Sequence, residues 1–104
     1  MKKYLKLEQK QLALKIIELI ESLPRNRAAD VIGRQLLRSG MSIGANYRAA
    51  CRGKSKADVI SKLAIVEEEA DETIYWMELL TESKIVYTSR VDALIKETNE
   101  NSQW

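Results

Sequence analysis

Residues 36–48 read LLRSGMSIGANYR, and this stretch lies at the centre of a long amphipathic segment that decides the fold. Wound as a helix at about 100° per residue, the segment from Arg27 to Cys51 places an apolar stripe opposite a row of arginines. The apolar stripe consists of Ala29, Ile32, Leu36, Ile43, Tyr47 and Ala50. We therefore expect one long helix with a buried face and a cationic face.

Three glycines, Gly33, Gly40 and Gly44, lie at the shoulder of this apolar stripe. Each destabilises a helix by about 0.8–1 kcal/mol relative to alanine, so a compensating contact is expected. Close approach of a second helix would provide that contact. Alternatively, Gly40 marks a kink or a break, with Ser42 capping a restarted helix, and the sequence leaves both interpretations open.

Turn and capping signals divide the rest of the chain. Pro24 is expected to end the first helix, and Gly53 to end the second in a left-handed conformation. Hydrophobic periodicity between these signals predicts helices over about 5–23, 26–51, 55–83 and 89–98. The expected N-caps are Asn26, Ser55 and Ser89, the last two paired with Asp58 and Asp92.

Four amphipathic helices joined by short turns predict an all-α protein, an antiparallel up-down-up-down four-helix bundle that forms a single domain over 1–104. The third helix carries a second apolar face, formed by Ile65, Trp76 and Leu79. Burying an indole of about 200 Å² stabilises a protein by several kcal/mol, which favours a homo-oligomer in which another chain covers this face. Alternatively, Trp76 packs beneath the last helix or the loop at 84–87.

Charge is distributed unevenly along the chain. The net charge of +2 combines +2 for residues 1–24, +7 for residues 25–62 and −7 for residues 63–104. A basic middle and an acidic end either neutralise each other across the fold or leave one face for an anionic partner. Both interpretations stay open.

The basic middle contains an ordered row of arginines on the second helix: Arg27, Arg34, Arg38, Arg48 and Arg52. Such a row is a candidate surface for the phosphates of RNA or DNA, because guanidinium groups form bidentate phosphate contacts. Without interleaved aromatic residues, binding would depend on shape and backbone. The competing interpretation is a solvated face whose arginines pair with acids of the run 67–72, in the same or a neighbouring subunit.

Several classes of function are disfavoured. The chain has no histidine, which removes the usual general base and the commonest metal ligand, and its single cysteine, Cys51, cannot form an intrachain disulfide. Gly53-Lys54-Ser55 lacks the upstream glycine of a P-loop. We therefore expect a cytoplasmic protein that is not an enzyme, holds no metal or cofactor, has no membrane segment and has no evident small-molecule substrate.

The segments LLRSGMSIGANYR (36–48), SKADVISKL (55–63) and ETIYWMELL (72–80) resemble a bacterial family of small four-helix bundles, the products of intervening sequences in 23S ribosomal RNA genes. The resemblance extends over about Ile16 to Leu80. It is carried by the motif from Ser42 to Arg48, followed by Glu69, Glu72 and Trp76. Ala49 stands where the motif usually carries Glu.

This resemblance implies a homopentamer with a central channel, mostly without a known activity. Related accessory proteins of diversity-generating retroelements bind nucleic acid and a reverse transcriptase through a basic surface, and this chain is less basic than they are. The motif residues Asn46, Glu69 and Glu72 are candidates for a polar network. Two functions are therefore considered: an oligomeric bundle that contacts RNA or DNA, and a structural or protein-interaction module.

Overall fold

A computed structural model describes residues 3–102, with the side chains of residues 6–87 and 89–102. It contains four helices: α1 (Lys3–Glu21), α2 (Arg27–Cys51), α3 (Lys56–Glu82) and α4 (Thr88–Asn101). No strand occurs between residues 3 and 102. The prediction of an all-α chain with four helices is therefore confirmed. The outermost residues of the predicted domain, 1–2 and 103–104, lie outside the described part.

Side-chain caps begin α2 and α3 as the sequence predicts. Asn26 Oδ1 accepts a hydrogen bond from the Ala29 amide at 2.8 Å. Ser55 Oγ accepts one from the Asp58 amide at 3.1 Å, and Asp58 Oδ2 accepts one from the Lys54 amide at 3.2 Å. Each cap gives a partner to a helix N-terminal amide that has none within the helix.

The predicted cap of α4 is wrong. The helix begins at Thr88, with Tyr87 in the cap position and no side-chain cap hydrogen bond, so Ser89 lies inside the first turn. The entry is set instead by the end of α3, where Lys84 takes a left-handed φ of 63° and Ile85 N donates to Leu80 O at 3.0 Å. These are the features of a Schellman motif, formed here without glycine.

The C-terminal limit of α4 also differs, because the helix continues to Asn101. The Asn101 carbonyl accepts a hydrogen bond from Gln9 Nε2 at 2.7 Å, and Gln9 is buried in the side of α1. A contact between residues 92 positions apart therefore supports the last turn. No local pattern in the sequence could reveal it.

The predicted conformation of Gly53 is wrong, although glycine is required there. No described glycine has a positive φ. A Cβ atom at Gly53 would overlap Val59 Cγ2 and lie 3.2 Å from Val59 N. Glycine is needed because α3 starts directly against the end of α2, rather than because the backbone is left-handed.

Helix α2 is continuous through its glycines, which resolves the alternative of a break at Gly40. The glycine stripe faces α1: Gly33 lies against Leu23, Gly40 against Ile16 and Gly44 against Gln9. Residue numbers therefore rise along α2 as they fall along α1. Close packing explains the glycines at positions 33 and 40, where an added Cβ would lie 3.3 and 3.1 Å from its neighbour, whereas at Gly44 the distances are ordinary.

All six residues of the predicted apolar stripe of α2 are buried. The larger core cluster is built from all four helices, with Leu12, Ile16, Leu19, Ile32, Leu36, Met77, Leu80, Val91 and Leu94. A smaller cluster joins α2 to α3 and comprises Ile43, Tyr47, Val66 and Ala70. Helices α1 and α3 each pack against α2 and α4, in an elongated body of 44 × 22 × 18 Å.

We expect the two central glycines to respond oppositely to alanine. At Gly40 a Cβ atom would lie 3.1 Å from two atoms of the fully buried Ile16, and overpacking of about 1–3 kcal/mol exceeds the helix gain of about 1 kcal/mol. Gly40→Ala should therefore lower the free energy of unfolding by about 1 kcal/mol. At Gly44 the nearest atoms would be 3.7 Å away, so Gly44→Ala should raise it by about 0.5–1 kcal/mol.

Urea unfolding followed by circular dichroism measures both changes. A Gly40→Ala variant more stable than the unsubstituted protein would contradict a rigid contact with Ile16. Gly44→Ala is the matched control, because it makes the same chemical change one helical turn away.

Candidate nucleic-acid interface

All five predicted arginines of α2 are exposed: Arg27, Arg34, Arg38, Arg48 and Arg52. They do not share one surface. Arg34 and Arg48 each line a cleft against α1, whereas Arg38 contacts acids of α3. Within the predicted row, Arg34 and Arg48 thus lie toward α1 and Arg38 lies toward α3.

Arg38 is held by two carboxylates. Its guanidinium forms ion pairs with Glu72 and, at 3.4 Å, with Glu69 Oε2, while Arg38 Nε donates to Gln35 Oε1 at 3.3 Å. Two acids facing one guanidinium leave this cluster with a net negative charge. Arg38 therefore fits the ion-paired interpretation, within its own chain, better than the nucleic-acid one.

The other four arginines have no such partner. Within the described part of the chain, Arg27, Arg34, Arg48 and Arg52 form no ion pair closer than 4.0 Å. The remaining ion pair joins Lys15 to Glu97 across α1 and α4 at 2.8 Å. Four exposed guanidinium groups thus remain for an external anion.

The structure brings together only part of the predicted polar network. Glu69 and Glu72 share Arg38, and Glu72 Oε2 also accepts a hydrogen bond from Trp76 Nε1 at 3.1 Å. Asn46 stays within its own helix, where Nδ2 donates to the carbonyl oxygen of Ser42 at 2.9 Å and to its Oγ at 2.8 Å. This amide supports the α2 backbone rather than the acids.

A buried hydroxyl pair, missed from the sequence, joins α2 to α3. Thr73 and Ser39 are both completely buried, and their oxygens lie 3.0 Å apart. The single proton of Thr73 is directed to Glu69 O at 2.7 Å, which leaves its oxygen to accept the Ser39 proton. The sequence carries one signal for this pair. Each residue stands at a core position of its helix, where the neighbouring residues of the stripe are apolar.

The predicted interface residues Ile65, Trp76 and Leu79 are all half-buried. Trp76 and Leu79 pack against the protomer's own larger core cluster, and the Tyr75 ring meets the indole edge-on at a centroid distance of 5.0 Å. The indole therefore has partners within its own chain, and the part of it that stays exposed leaves the predicted role at an interface untested.

Several large apolar side chains are exposed elsewhere, at positions that the sequence patterns did not indicate. They are Leu7, Leu14 and Ile17 on α1, Val31 and Leu37 on α2, Ile60 and Tyr75 on α3, and Tyr87 in the loop before α4. Leu7 and Leu14 are each 55% exposed and lie seven residues apart, on one face of α1. Their spacing was a signal that could have been used.

A cavity of about 410 Å³ opens between α1 and α2. Three cations line it: Lys6 and Lys10 from α1, and Arg48 from α2. The other lining residues are Gln9, Ala13, Met41, Gly44, Ala45 and Tyr47. The two lysines were missed because the cationic surface was sought on α2 alone.

The described residues bear on two further kinds of site, a metal site and a membrane span. They contain no group of three or more Cys, Asp or Glu side chains placed to hold a metal ion. None of the four helices, over the residues described, is both long enough and apolar enough to cross a bilayer.

Comparison with known proteins identifies relatives. The sequence pattern described as 23S rRNA-intervening sequence protein matches residues 5–104. A crystal structure of a protein with unknown function from the S23 ribosomal protein family of Bacteroides thetaiotaomicron is similar, with 36% identity and a TM-score of 0.87. The match covers 94% of this chain and 91% of that one. No curated protein matches the sequence.

We expect the Ser39–Thr73 pair to be energetically coupled. Thr73→Val should lower the free energy of unfolding by about 1–3 kcal/mol, because the buried Ser39 hydroxyl then keeps only its long, 3.5 Å hydrogen bond to Leu36 O. Introducing Ser39→Ala into that variant should restore part of the loss, since it removes the poorly bonded Ser39 hydroxyl from the core. A double-mutant cycle measured by urea unfolding provides the coupling energy, and strictly additive losses would show that the pair does not interact.

Proposed function

Because the chain belongs to the family of 23S rRNA-intervening sequence proteins, we propose that it is a non-catalytic, oligomeric helical bundle that contacts RNA or DNA through the cationic side of α2. It acts in the cytoplasm, consistent with a lone cysteine that cannot close an intrachain disulfide. No cofactor is needed for this role.

One observation carries the nucleic-acid contact. Arg27, Arg34 and Arg48 on α2 and Arg52 at its C-cap are exposed, and none pairs with a described acid. Exposed ion pairs contribute only about 0–1 kcal/mol, so fold stability gives little reason for such a row. Phosphate contacts would use all four groups, and an oligomer would multiply them.

The proposed protomer is a single-domain, antiparallel up-down-up-down bundle that assembles as a homopentameric ring. Uncovered apolar residues on α1, α2 and α3 support association, as does the separation of a basic α2 from an acidic α3. A contact between unlike faces generates a closed ring when the rotation between subunits closes. In this assembly, the exposed parts of Ile65, Trp76 and Leu79 contribute to the subunit interface.

A structural or protein-interaction module is the second candidate. It is supported by Arg38, which pairs with Glu69 and Glu72 between α2 and α3. In that case the remaining arginines would bind acidic protein surfaces.

We expect structured RNA to bind with a steep salt dependence. If three or four phosphates are contacted, affinity should fall about 40- to 150-fold between 50 and 200 mM salt. Changing Arg34, Arg48 and Arg52 together to Ala should weaken binding and flatten the slope, because these phosphate contacts are lost. Fluorescence anisotropy at both salt concentrations measures this effect.

Arg38→Ala is the matched control, since it removes the same chemical group from the same helix. It should change RNA affinity much less than the triple variant. Equal affinity of the triple variant and the unsubstituted protein would exclude the arginine interface.

We expect the chain to be oligomeric in solution. Light scattering at micromolar concentration should report about 60 kDa for five chains of 11.9 kDa. Leu14→Glu replaces an exposed apolar side chain with a charged one and leaves the core intact. It tests whether the uncovered face of α1 takes part in the assembly. A single chain at that concentration in the unsubstituted protein would overturn the ring.

A further inference from the structure

We propose that the cavity between α1 and α2 binds a small organic phosphate, of which a nucleoside monophosphate is the simplest example. The site shares Arg48 with the proposed nucleic-acid interface but takes a separate small molecule, so the two can succeed or fail independently. No comparison assigns a ligand to this place.

The charge of the cavity indicates a polyvalent anion. Lys6, Lys10 and Arg48 line it, no carboxylate does, and none of the three cations forms an ion pair with a described residue. Three positive groups around one opening match a phosphate dianion better than a single carboxylate. Arg48 adds the planar donor pair that fits phosphate oxygens.

The wall of the cavity indicates that this anion carries an organic body. Ala13, Met41 and Ala45 supply apolar surface, and the volume of about 410 Å³ lies within the range of about 300–1,000 Å³ that is common for small-ligand sites. Inorganic phosphate would leave most of this space and the apolar wall unused. A phosphate joined to a flat or compact apolar group would occupy both.

Gln9 is a polar residue in the wall of the cavity. Its side chain is 3% exposed and lines the cavity, and while Nε2 donates to Asn101 O, Oε1 has no hydrogen-bond partner among the described residues. The Asn101 Nδ2 atom is also buried without a hydrogen-bond partner among the described residues. A ligand O–H or N–H could pair with Gln9 Oε1 only after this side chain turns toward the cavity, because the oxygen is buried in this structure.

Gly44 gives a reason why the cavity exists. Unlike Gly40, it is not required for helix contact, because an added Cβ would meet only ordinary distances of 3.7 Å to Gln9. It nevertheless occupies a helix interior, where glycine is disfavoured, and it lines the cavity. The absent side chain leaves room that a ligand can fill.

Isothermal titration calorimetry of the full chain with adenosine monophosphate tests the site. We expect saturable binding of one molecule per chain, with inorganic phosphate and adenosine each at least tenfold weaker. Gly44→Leu, which fills the cavity with a good helix former, should weaken binding at least tenfold. Lys10→Glu lies on the exposed rim and should do the same without touching the core.

Lys96→Glu is the matched control, because it reverses one exposed positive charge on α4, away from the cavity. It should bind adenosine monophosphate as the unsubstituted chain does. Circular dichroism checks that each variant is folded. If Gly44→Leu does not fold, Lys10→Glu still tests the site.

Three results would overturn the site: no saturable binding, unchanged binding in both Gly44→Leu and Lys10→Glu, or equal affinity for inorganic phosphate. If structured RNA binds with the expected arginine dependence while adenosine monophosphate does not, only the small-molecule site is lost. If adenosine monophosphate binds and RNA does not, the pocket stands and the nucleic-acid interface falls.

Discussion

The closeness of α1 to α2 depends on the absence of a side chain at Gly40, against which the fully buried Ile16 packs. Ile16 belongs to the cluster that joins all four helices, so the depth at which α1 lies determines how the core is filled. The same seam continues past Gly44, where the two helices leave a cavity instead of a tight contact. One shared groove therefore contains both a tight helix contact and an open cavity.

Electrostatics divides the molecule along its second helix. On one flank Arg38 is committed to Glu69 and Glu72, and below it Ser39 and Thr73 form a buried polar contact. On the other flank Arg48 joins two lysines of α1 around an opening without acids. A single amphipathic helix thus has one charged side that stabilises the fold and another that remains exposed to external anions.

Local patterns were sufficient to predict much of this fold. Helix periodicity and the caps at Asn26 and Ser55 depend on residues within one turn, and the structure agrees with them. The start of α4 could not be derived this way, because it follows from Lys84 adopting a conformation that glycine usually takes. Its end depends on Gln9, which is distant in sequence.

The sequence predicted the arginines of the candidate site, but not which of them lie together. Sequence spacing placed all five arginines on one helix face, but it could not show which neighbour each flank would meet. Arg38 faces acids only because α3 lies beside it, and the lysines of α1 join Arg48 only because α1 packs on the opposite side. Contacts between helices, rather than periodicity within them, decide which charges remain available.

The hydrogen bond between Trp76 and Glu72 has a spectroscopic consequence. The indole is half-buried, it donates to the carboxylate that also holds Arg38, and it touches a tyrosine ring. The contribution of Trp76 to the emission of the chain, which also contains Trp104, is therefore expected to respond to the ion pair between Arg38 and Glu72. Any partner that draws Arg38 away from α3 would shift that emission, so the chain carries an optical reporter of its own helix contact.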